Sequence, residues 1–238
     1  MPISETAGGG LKCECPAGVF HNGVVTLLAL FDLDNTLLDR EKAFCLWADR
    51  FIASHGLGQG AWAMIDRADV DGATPRDEFF ARIRQELNIT TEVDELVADY
   101  RVVYPSLYSA EPEMIKGVRL LRSSGFKVGV VTNGPPSQQA KLEAAGVAVE
   151  FDAVCISGMV GSRKPDIAIF REAARVCNLP LDGWMVGDSA EADIGGGANA
   201  GLKTIWMARG RDWPSDDFVP DHIVDSIPQA VDVILAST

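Results

Sequence analysis

The sequence predicts an α/β protein in which helices cover both faces of a parallel sheet and a smaller all-helical domain is inserted after the first strand. Short apolar segments alternate with helical patterns along most of the 238 residues. This alternation is typical of a parallel sheet. The interval 40–111 is the exception, because it holds helical periodicity and no convincing strand.

Six apolar segments that end in small or polar residues are the predicted strands. They are VVTLLALF (24–31), KVGVVT (127–132), AVCIS (153–157), WMVGD (184–188), KTIWMA (203–208) and HIVD (222–225). Helical patterns lie between them, in MIKGVRLLRSS, QQAKLEAAG, DIAIFREAARVC and the run 190–200. We therefore expect a Rossmann-like, doubly wound sheet formed by residues 24–39 and 112–238.

The interval between the first two predicted strands indicates a separate helical domain at 40–111. Helical periodicity is present in AFCLWADRFIASHG, DEFFARIRQEL and VDELVADYRVVY. In an open α/β sheet the ligand crevice lies beyond the carboxyl ends of the strands, so an insertion after the first strand would cover it as a cap. Residues 1–23 are rich in small and turn-forming residues, which predicts a flexible N-terminal tail.

The composition argues against several classes of function. The formal net charge of −13 is unfavourable for binding nucleic acid or an anionic membrane, since both attract basic proteins. No segment reaches the roughly 18 apolar residues of a membrane span, and the N-terminus does not resemble a signal peptide. Five scattered cysteines do not form a disulfide framework. We expect a cytoplasmic monomer or homodimer that acts on a small molecule.

Four acidic residues lie at or after the ends of predicted strands. Asp32 and Asp34 follow the first strand in FDLDNTLLD, Asp188 ends the fourth in MVGDSAEAD, and Asp193 lies five residues later. Helix capping would explain one such residue, Asp193 in particular. Carboxylates gathered in one crevice repel one another unless a cation or a proton compensates them. Because all the candidate ligands are oxygens, a hard cation such as Mg²⁺ fits better than zinc.

A lysine and a threonine could complete a site for a phosphate group. Lys164 lies in SRKPD, directly before a proline that begins a predicted helix. In that place the positive charge of a lysine can offset the negative charges of a carboxylate and of a phosphate oxygen. Thr132, with the backbone amides of Asn133 and Gly134, offers donors to the same oxygens. Each residue taken alone has a simpler explanation, a solvated charge for Lys164 and an ordinary strand end for Thr132.

The segments DLDNT, VVTNG, RKPD and GDSAEAD, in this order, resemble the four motifs of the haloacid dehalogenase (HAD) superfamily of hydrolases. The resemblance covers about residues 31–208, and the helical insertion is similar to the C1-type cap of that superfamily. It implies a phosphatase-like HAD enzyme, a phosphoric monoester hydrolase that uses Mg²⁺ and forms an aspartyl-phosphate. The implied substrate is a small phosphorylated metabolite, such as a sugar phosphate or a nucleotide.

The resemblance also implies a role for each acid. Asp32 matches the nucleophile, and Asp34 matches the general acid/base that protonates the leaving oxygen and later activates water. The metal ligands would be Asp32, Asp188 and the backbone carbonyl of Asp34. Asp193 would lie behind them and orient a metal-bound water or Lys164.

Three further residues match the phosphate-binding part of the superfamily's motifs. Lys164 matches the catalytic cation that steadies the nucleophile and the phosphate. Thr132 matches the phosphate-binding hydroxyl, and Asn133 follows it in the same motif. Most of the catalysis in such a site is positioning and charge stabilisation of the transferred phosphoryl group.

Other activities within the superfamily fit the sequence less well. The dehalogenases lack the second acid, which is present here as Asp34. Phosphonate hydrolases use a lysine of the cap, and Lys42 is the only lysine between Asp39 and Glu111. Phosphosugar mutases usually have glycine and valine where this chain has Asn35 and Thr36. A non-catalytic protein that binds a phosphorylated ligand stays open as an alternative, although it would be expected to lack a motif residue.

Overall fold

The computed structural model describes residues 20–21, 24–25 and 27–237, and its centre is a six-stranded parallel sheet. A separate antiparallel pair is formed by β1 (Phe20–His21) and β2 (Val24–Val25). The strands of the main sheet are β3 (Leu28–Phe31), β4 (Lys127–Thr132), β5 (Ala153–Ile156), β6 (Gly183–Gly187), β7 (Lys203–Met207) and β8 (His222–Val224). Their spatial order is β5-β4-β3-β6-β7-β8, which confirms the predicted Rossmann-like α/β fold.

Helices cover the sheet and form the insertion between β3 and β4. They are α1 (Arg40–Ser54), α2 (Ala61–Asp69), α3 (Arg76–Glu86), α4 (Val93–Val103), α5 (Pro112–Ser123), α6 (Gln138–Ala144), α7 (Ser157–Val160), α8 (Ile167–Val176), α9 (Gly196–Asn199) and α10 (Ile227–Ala236). Short 3₁₀ turns lie at Tyr104–Leu107 and Ala148–Glu150. No helix of the described residues combines the length and the apolar character that a membrane span requires.

The first predicted strand, 24–31, is divided in the structure. Only Leu28–Phe31 joins the main sheet, where Leu28 is in register with Lys127 of β4 and with Gly183 of β6. Both neighbouring strands begin at these partners, so the chain upstream of Leu28 has no strand beside it in the main sheet. The predicted tail, 1–23, lies outside the described residues except for the backbone of Phe20–His21.

Alternate residues of β3 pack on opposite faces of the sheet, as expected for a central parallel strand. Ala29 and Phe31 belong to the larger hydrophobic cluster, which includes the apolar faces of α5 and α10. Leu28 and Leu30 belong to a second cluster, which includes α8. All four side chains are fully buried, so β3 is held rigidly between two helical layers.

The insertion contains α1–α4 and no strand within residues 40–107, all of which are described. Its interior is an aromatic cluster around Trp47, whose ring lies 5.0–5.8 Å from the rings of Phe51, Phe79, Phe80 and Tyr100. The periodicity of the sequence indicates α1, α3 and α4 but not α2. That helix follows a glycine-rich segment and ends at a buried aspartate, which interrupts its apolar pattern.

The run 190–200 is not one regular helix. A π-helix spans Ala190–Gly195 and is followed by the short helix α9. π-Helical turns widen the backbone spiral and are frequent at functional sites. Here the π-helix carries Asp193 inward, where its side chain is fully buried.

We expect Trp47→Ala to lower the free energy of unfolding by about 3–5 kcal/mol, because it empties the centre of the aromatic cluster. Trp47 is 2% exposed, whereas Trp62 on α2 is 39% exposed. Trp62→Ala is therefore the matched control, with an expected loss below about 1 kcal/mol. Urea unfolding of both variants measures the difference, and equal losses would contradict the assigned packing.

Candidate active site

The candidate active site lies beyond the carboxyl ends of β3, β4 and β6. Because β3 lies between β4 and β6, the chain moves to one side of β3 first and to the other side later. A crevice forms at such a switch point in α/β sheets. Asp32 directly follows β3, Thr132 is the last residue of β4, and Asp188 directly follows β6. These three predicted site residues thus lie at neighbouring strand ends.

Lys164 is buried between two aspartates. Its Nζ lies 2.6 Å from Oδ1 of Asp32 and 2.5 Å from Oδ1 of Asp193. Desolvation lowers the pKa of Lys164, but the two carboxylates outweigh it and raise that pKa above its ordinary value. The other oxygen of Asp193 accepts a hydrogen bond of 2.9 Å from the backbone N–H of Ser189. Asp193 therefore fixes the lysine with one oxygen and bonds the backbone at the start of the π-helix with the other.

The loop that carries Lys164 is held by Asn133. The side chain of Asn133 accepts a hydrogen bond of 2.9 Å from the backbone N–H of Lys164 and donates one of 3.0 Å to its carbonyl. The neighbouring backbone N–H of Gly134, which the sequence suggests for phosphate binding, donates instead to the hydroxyl of Ser157 at 3.0 Å. Of these two residues, Asn133 therefore positions the lysine loop, and Gly134 joins the motif to Ser157.

The carboxylates of Asp32, Asp188 and Asp193 form a cluster in which one oxygen from each residue lies within 4.8 Å of the other two. Burial raises the pKa of Asp32 to about 6, although Lys164 opposes the shift. Burial, with the nearby charge of Asp32, likewise raises the pKa of Asp188 to about 6. A divalent cation would compensate this crowding, and the all-oxygen donor set suits a hard cation. Asp32 and Asp188 are the better direct ligands, because both oxygens of Asp193 are already bonded.

Asp34 points to a different set of groups from Asp32. Its carboxylate lies 2.6 and 2.8 Å from Nζ of Lys141, and it accepts hydrogen bonds from Gln138 at 2.9 Å and from the hydroxyl of Tyr108 at 3.0 Å. Burial raises the pKa of Asp34, but these partners outweigh burial and hold it below its ordinary value of 3.8. Two acids that are two residues apart therefore occupy opposite electrostatic environments.

Several residues around the site have no counterpart among the predicted site residues. Gln138 and Lys141 lie one turn apart on α6, and their spacing directly after VVTNG is a signal that could have indicated a shared target. Nothing in the local sequence singles out Tyr108 or Arg211. Nη2 of Arg211 lies 3.3 Å from Oδ2 of Asp188 and 3.1 Å from the carbonyl of Met207.

Two adjoining cavities open onto these residues. One, of about 490 Å³, is lined by Asp32, Asp188 and Arg211. The other, of about 510 Å³, reaches from Asp34 and Lys141 into the helical insertion. Its wall on the insertion side is formed by Arg40, Gly72, Arg76, Tyr100, Arg101 and Tyr104. The crevice can thus admit a charged group at the strand ends and a second group beneath α1–α4.

A family model described as haloacid dehalogenase-like hydrolase matches residues 27–201. The chain belongs to this family. The matched range begins just before β3 and includes every predicted site residue. The predicted membership of the HAD superfamily and the predicted hydrolase class are therefore confirmed.

The chain is similar to proteins named as phosphatases. The chain is 31% identical over 180 residues to phosphoserine phosphatase of Thermus thermophilus, across 73% of this chain and 72% of the relative. It is 31% identical over 220 residues to glyceraldehyde 3-phosphate phosphatase of Pyrococcus furiosus, across 86% and 91% of the two chains. It is 42% identical over 105 residues to the pyrimidine 5′-nucleotidase YjjG of Escherichia coli, across 42% and 46%.

Solved structures share the fold. The HAD-hydrolase YfnB of Bacillus subtilis superposes with a TM-score of 0.73 at 23% identity, across 88% of this chain and 98% of that one. A HAD phosphatase of Thermococcus onnurineus gives a TM-score of 0.63 at 24% identity, across 87% and 97%. At such identities the likeness concerns the architecture, and function depends on the site.

We expect Asp193→Asn to lower the free energy of unfolding by about 3 kcal/mol, because it removes one partner of a buried ion pair. Glu191→Gln is the matched control, since Glu191 is an exposed acid in the same π-helix. Its expected effect is within about 0.5 kcal/mol. Urea unfolding at neutral pH measures both, and an equal effect of the two changes would contradict the ion-pair assignment.

Proposed function

We propose that this chain is a Mg²⁺-dependent phosphatase that hydrolyses a small phosphomonoester through an aspartyl-phosphate on Asp32. One observation carries the proposal. Asp32 lies against the Lys164 ammonium at a strand end, while a second carboxylate, Asp34, is held by separate donors at the same crevice. The family of the chain and its similarity to two phosphatases over more than two thirds of its length support this activity.

The carboxylates of Asp32 and Asp188 and the backbone carbonyl of Asp34 are the proposed metal ligands. A bound Mg²⁺ would supply positive charge that offsets the carboxylates and the transferred phosphoryl group. Lys164 adds a buried, fixed positive charge beside Asp32. Asp193 keeps Lys164 aligned, and Arg211 contributes further positive charge near Asp188.

In the first step, a carboxylate oxygen of Asp32 attacks phosphorus, and the bond between phosphorus and the ester oxygen breaks. The negative charge of the bound phosphate raises the pKa of Asp34, which takes up a proton before this step. The leaving oxygen takes that proton and departs as an alcohol. The hydroxyl of Thr132, buried at the end of β4, is the proposed donor to a phosphate oxygen. Asn133 contributes by holding the backbone of Lys164.

In the second step, water attacks the phosphorus of the aspartyl-phosphate. Asp34, now unprotonated, accepts the proton of that water. The bond between Asp32 and phosphorus breaks, which releases inorganic phosphate and restores the Asp32 carboxylate. Asp34 is protonated again at the end of the cycle, so both acids return to their starting state.

The leaving group would occupy the cavity of about 510 Å³ beneath the helical insertion. We accordingly propose that 40–111 is a cap domain over a core of 24–39 and 112–238. The cavity suits a sugar phosphate, a nucleotide or a similar metabolite, and a panel of phosphorylated metabolites ranked by kcat/KM would identify the class. We further propose that the protein is a cytoplasmic monomer or homodimer and that it binds no nucleic acid. The described cysteines, Cys45, Cys155 and Cys177, are free thiols, as is usual for proteins of the reducing cytoplasm.

We expect Asp32→Asn to lower kcat for p-nitrophenyl phosphate by at least about 1000-fold, because the amide cannot act as the nucleophile. Asp49→Asn, on the exposed side of α1, is the control and should retain the wild-type rate. Steady-state assays with Mg²⁺ present measure both variants. Turnover by Asp32→Asn at a rate close to wild type would contradict the proposed function.

Removal of divalent metal with EDTA should abolish hydrolysis, because the acidic cluster would be left without its compensating charge. Addition of Mg²⁺ in excess of the chelator should restore the activity. Asp188→Asn should raise the Mg²⁺ concentration needed for half-maximal rate, whereas Asp49→Asn should not. Activity that persists unchanged in EDTA would contradict the metal dependence.

A further inference from the structure

Two polar side chains of α6 are buried although residues of their types are usually exposed. Gln138 and Lys141 lie three positions apart, hence on the same side of the helix, and both reach into the crevice. Burying a lysine is costly unless its charge is paired. Both side chains end on the carboxylate of Asp34, which indicates a common target.

The contacts hold both oxygens of the Asp34 carboxylate. Oδ1 is bonded by Lys141 at 2.8 Å and by Tyr108 at 3.0 Å, and Oδ2 by Lys141 at 2.6 Å and by Gln138 at 2.9 Å. A carboxylate bonded at both oxygens cannot rotate without losing charge-assisted hydrogen bonds. The orientation of Asp34 is therefore set by α6 and by the segment that leaves the insertion.

Gln138 connects Asp34 to the predicted phosphate-binding hydroxyl. Its Nε2 donates to Oδ2 of Asp34 and, at 3.0 Å, to Oγ1 of Thr132. Since the hydroxyl of Thr132 accepts this hydrogen bond, its own proton is free to be donated into the crevice. The amide of Gln138 thus orients both Asp34, which would contact the leaving oxygen, and Thr132, which would contact the phosphate group.

Lys141 is also enclosed by the segment that follows α4. Its Nζ lies 4.7 Å from the ring centroid of Tyr108 and 5.6 Å from that of Tyr104, distances at which cation–π attraction operates. The hydroxyls of Tyr104 and Tyr108 lie 2.9 Å apart, and because Tyr108 donates its one proton to Asp34, Tyr104 is the donor between them. These rings enclose the ammonium group of Lys141 beside Asp34.

We propose that Lys141, assisted by Gln138, is a positioning residue that aims the carboxyl group of Asp34 at the leaving oxygen of the substrate. This inference rests on the proposed function, since it assigns Asp34 to proton transfer. A misplacement of about 1 Å in a catalytic group can cost on the order of 100-fold in rate. Loss of Lys141 should therefore affect the step that needs the proton more than substrate binding.

The test compares two esters that differ by one nitro group. p-Nitrophenolate is a good leaving group and departs readily without a proton. Phenolate is a poorer leaving group, so its departure depends more strongly on protonation. For Lys141→Met we expect kcat for phenyl phosphate to fall about 100-fold and kcat for p-nitrophenyl phosphate to fall less than about 10-fold, with little change in KM. Lys116→Met, an exposed lysine of α5, is the matched control and should change neither rate.

Equal losses for the two esters, or an unchanged or faster reaction with phenyl phosphate, would overturn the positioning role. Such results would leave the phosphatase assignment intact, which depends instead on the inactivity of Asp32→Asn. If Asp32→Asn were active, the proposed function would fail before this inference is reached. The two failures are therefore distinguishable.

A second comparison covers the case in which Lys141→Met does not fold because Asp34 is left unpaired. The double variant Asp34→Asn/Lys141→Met removes both charges together. Because Lys141 is inferred to act through Asp34, its loss should slow phenyl phosphate hydrolysis less than about 3-fold in the Asp34→Asn background. A further loss of about 100-fold in that background would overturn the inference.

Discussion

A single buried ammonium group, that of Lys164, holds the crevice together. Its partners, Asp32 and Asp193, come from the end of β3 and from the π-helix after β6, while Lys164 belongs to the loop before α8. These segments are far apart in the chain and are joined at one point. Removing a charge from water costs several kcal/mol, so this arrangement persists only while both carboxylates stay beside the lysine.

The two acids of FDLDNTLLD show how one turn can create two environments. Asp32 lies with Asp188 and Asp193, and burial raises its pKa to about 6. Asp34 lies on the other side of the turn against Lys141, and its pKa is lowered. The proposed roles require this order of pKa values to reverse when a cation binds at Asp32 and a phosphate group binds beside Asp34. The left-handed backbone of Asn35, with φ of 57°, belongs to the turn that separates them.

The helical insertion takes part in the site rather than only covering it. Arg40 and Arg76 both pair with the buried carboxylate of Asp69, which anchors the turn between α2 and α3 at the mouth of the crevice. Tyr108, at the point where the chain leaves the insertion, bonds Asp34 directly. The insertion and the sheet are thus connected through the group proposed to transfer the proton.

Local sequence patterns were sufficient for the architecture and for the residues at the strand ends. Apolar runs that stop at an acid or a hydroxyl indicate both a buried strand and the point where it meets solvent, so β3, β4 and β6 and the residues after them were predictable. The family resemblance of the same motifs is confirmed by the match over 27–201. The catalytic roles assigned to those residues stay predictions.

Tertiary structure alone decided which side chains meet. Lys141 lies 107 positions from Asp34, and a helical pattern shows that such a residue faces inward without showing what it faces. Likewise, the length of β3 depends on where β4 and β6 begin, which the residues of 24–31 do not encode. The family resemblance left open whether Asp193 orients a metal-bound water or Lys164, and the contact with Lys164 depends on the π-helix that turns Asp193 inward. Each is a contact between distant segments, and such contacts exist only once the layers have packed.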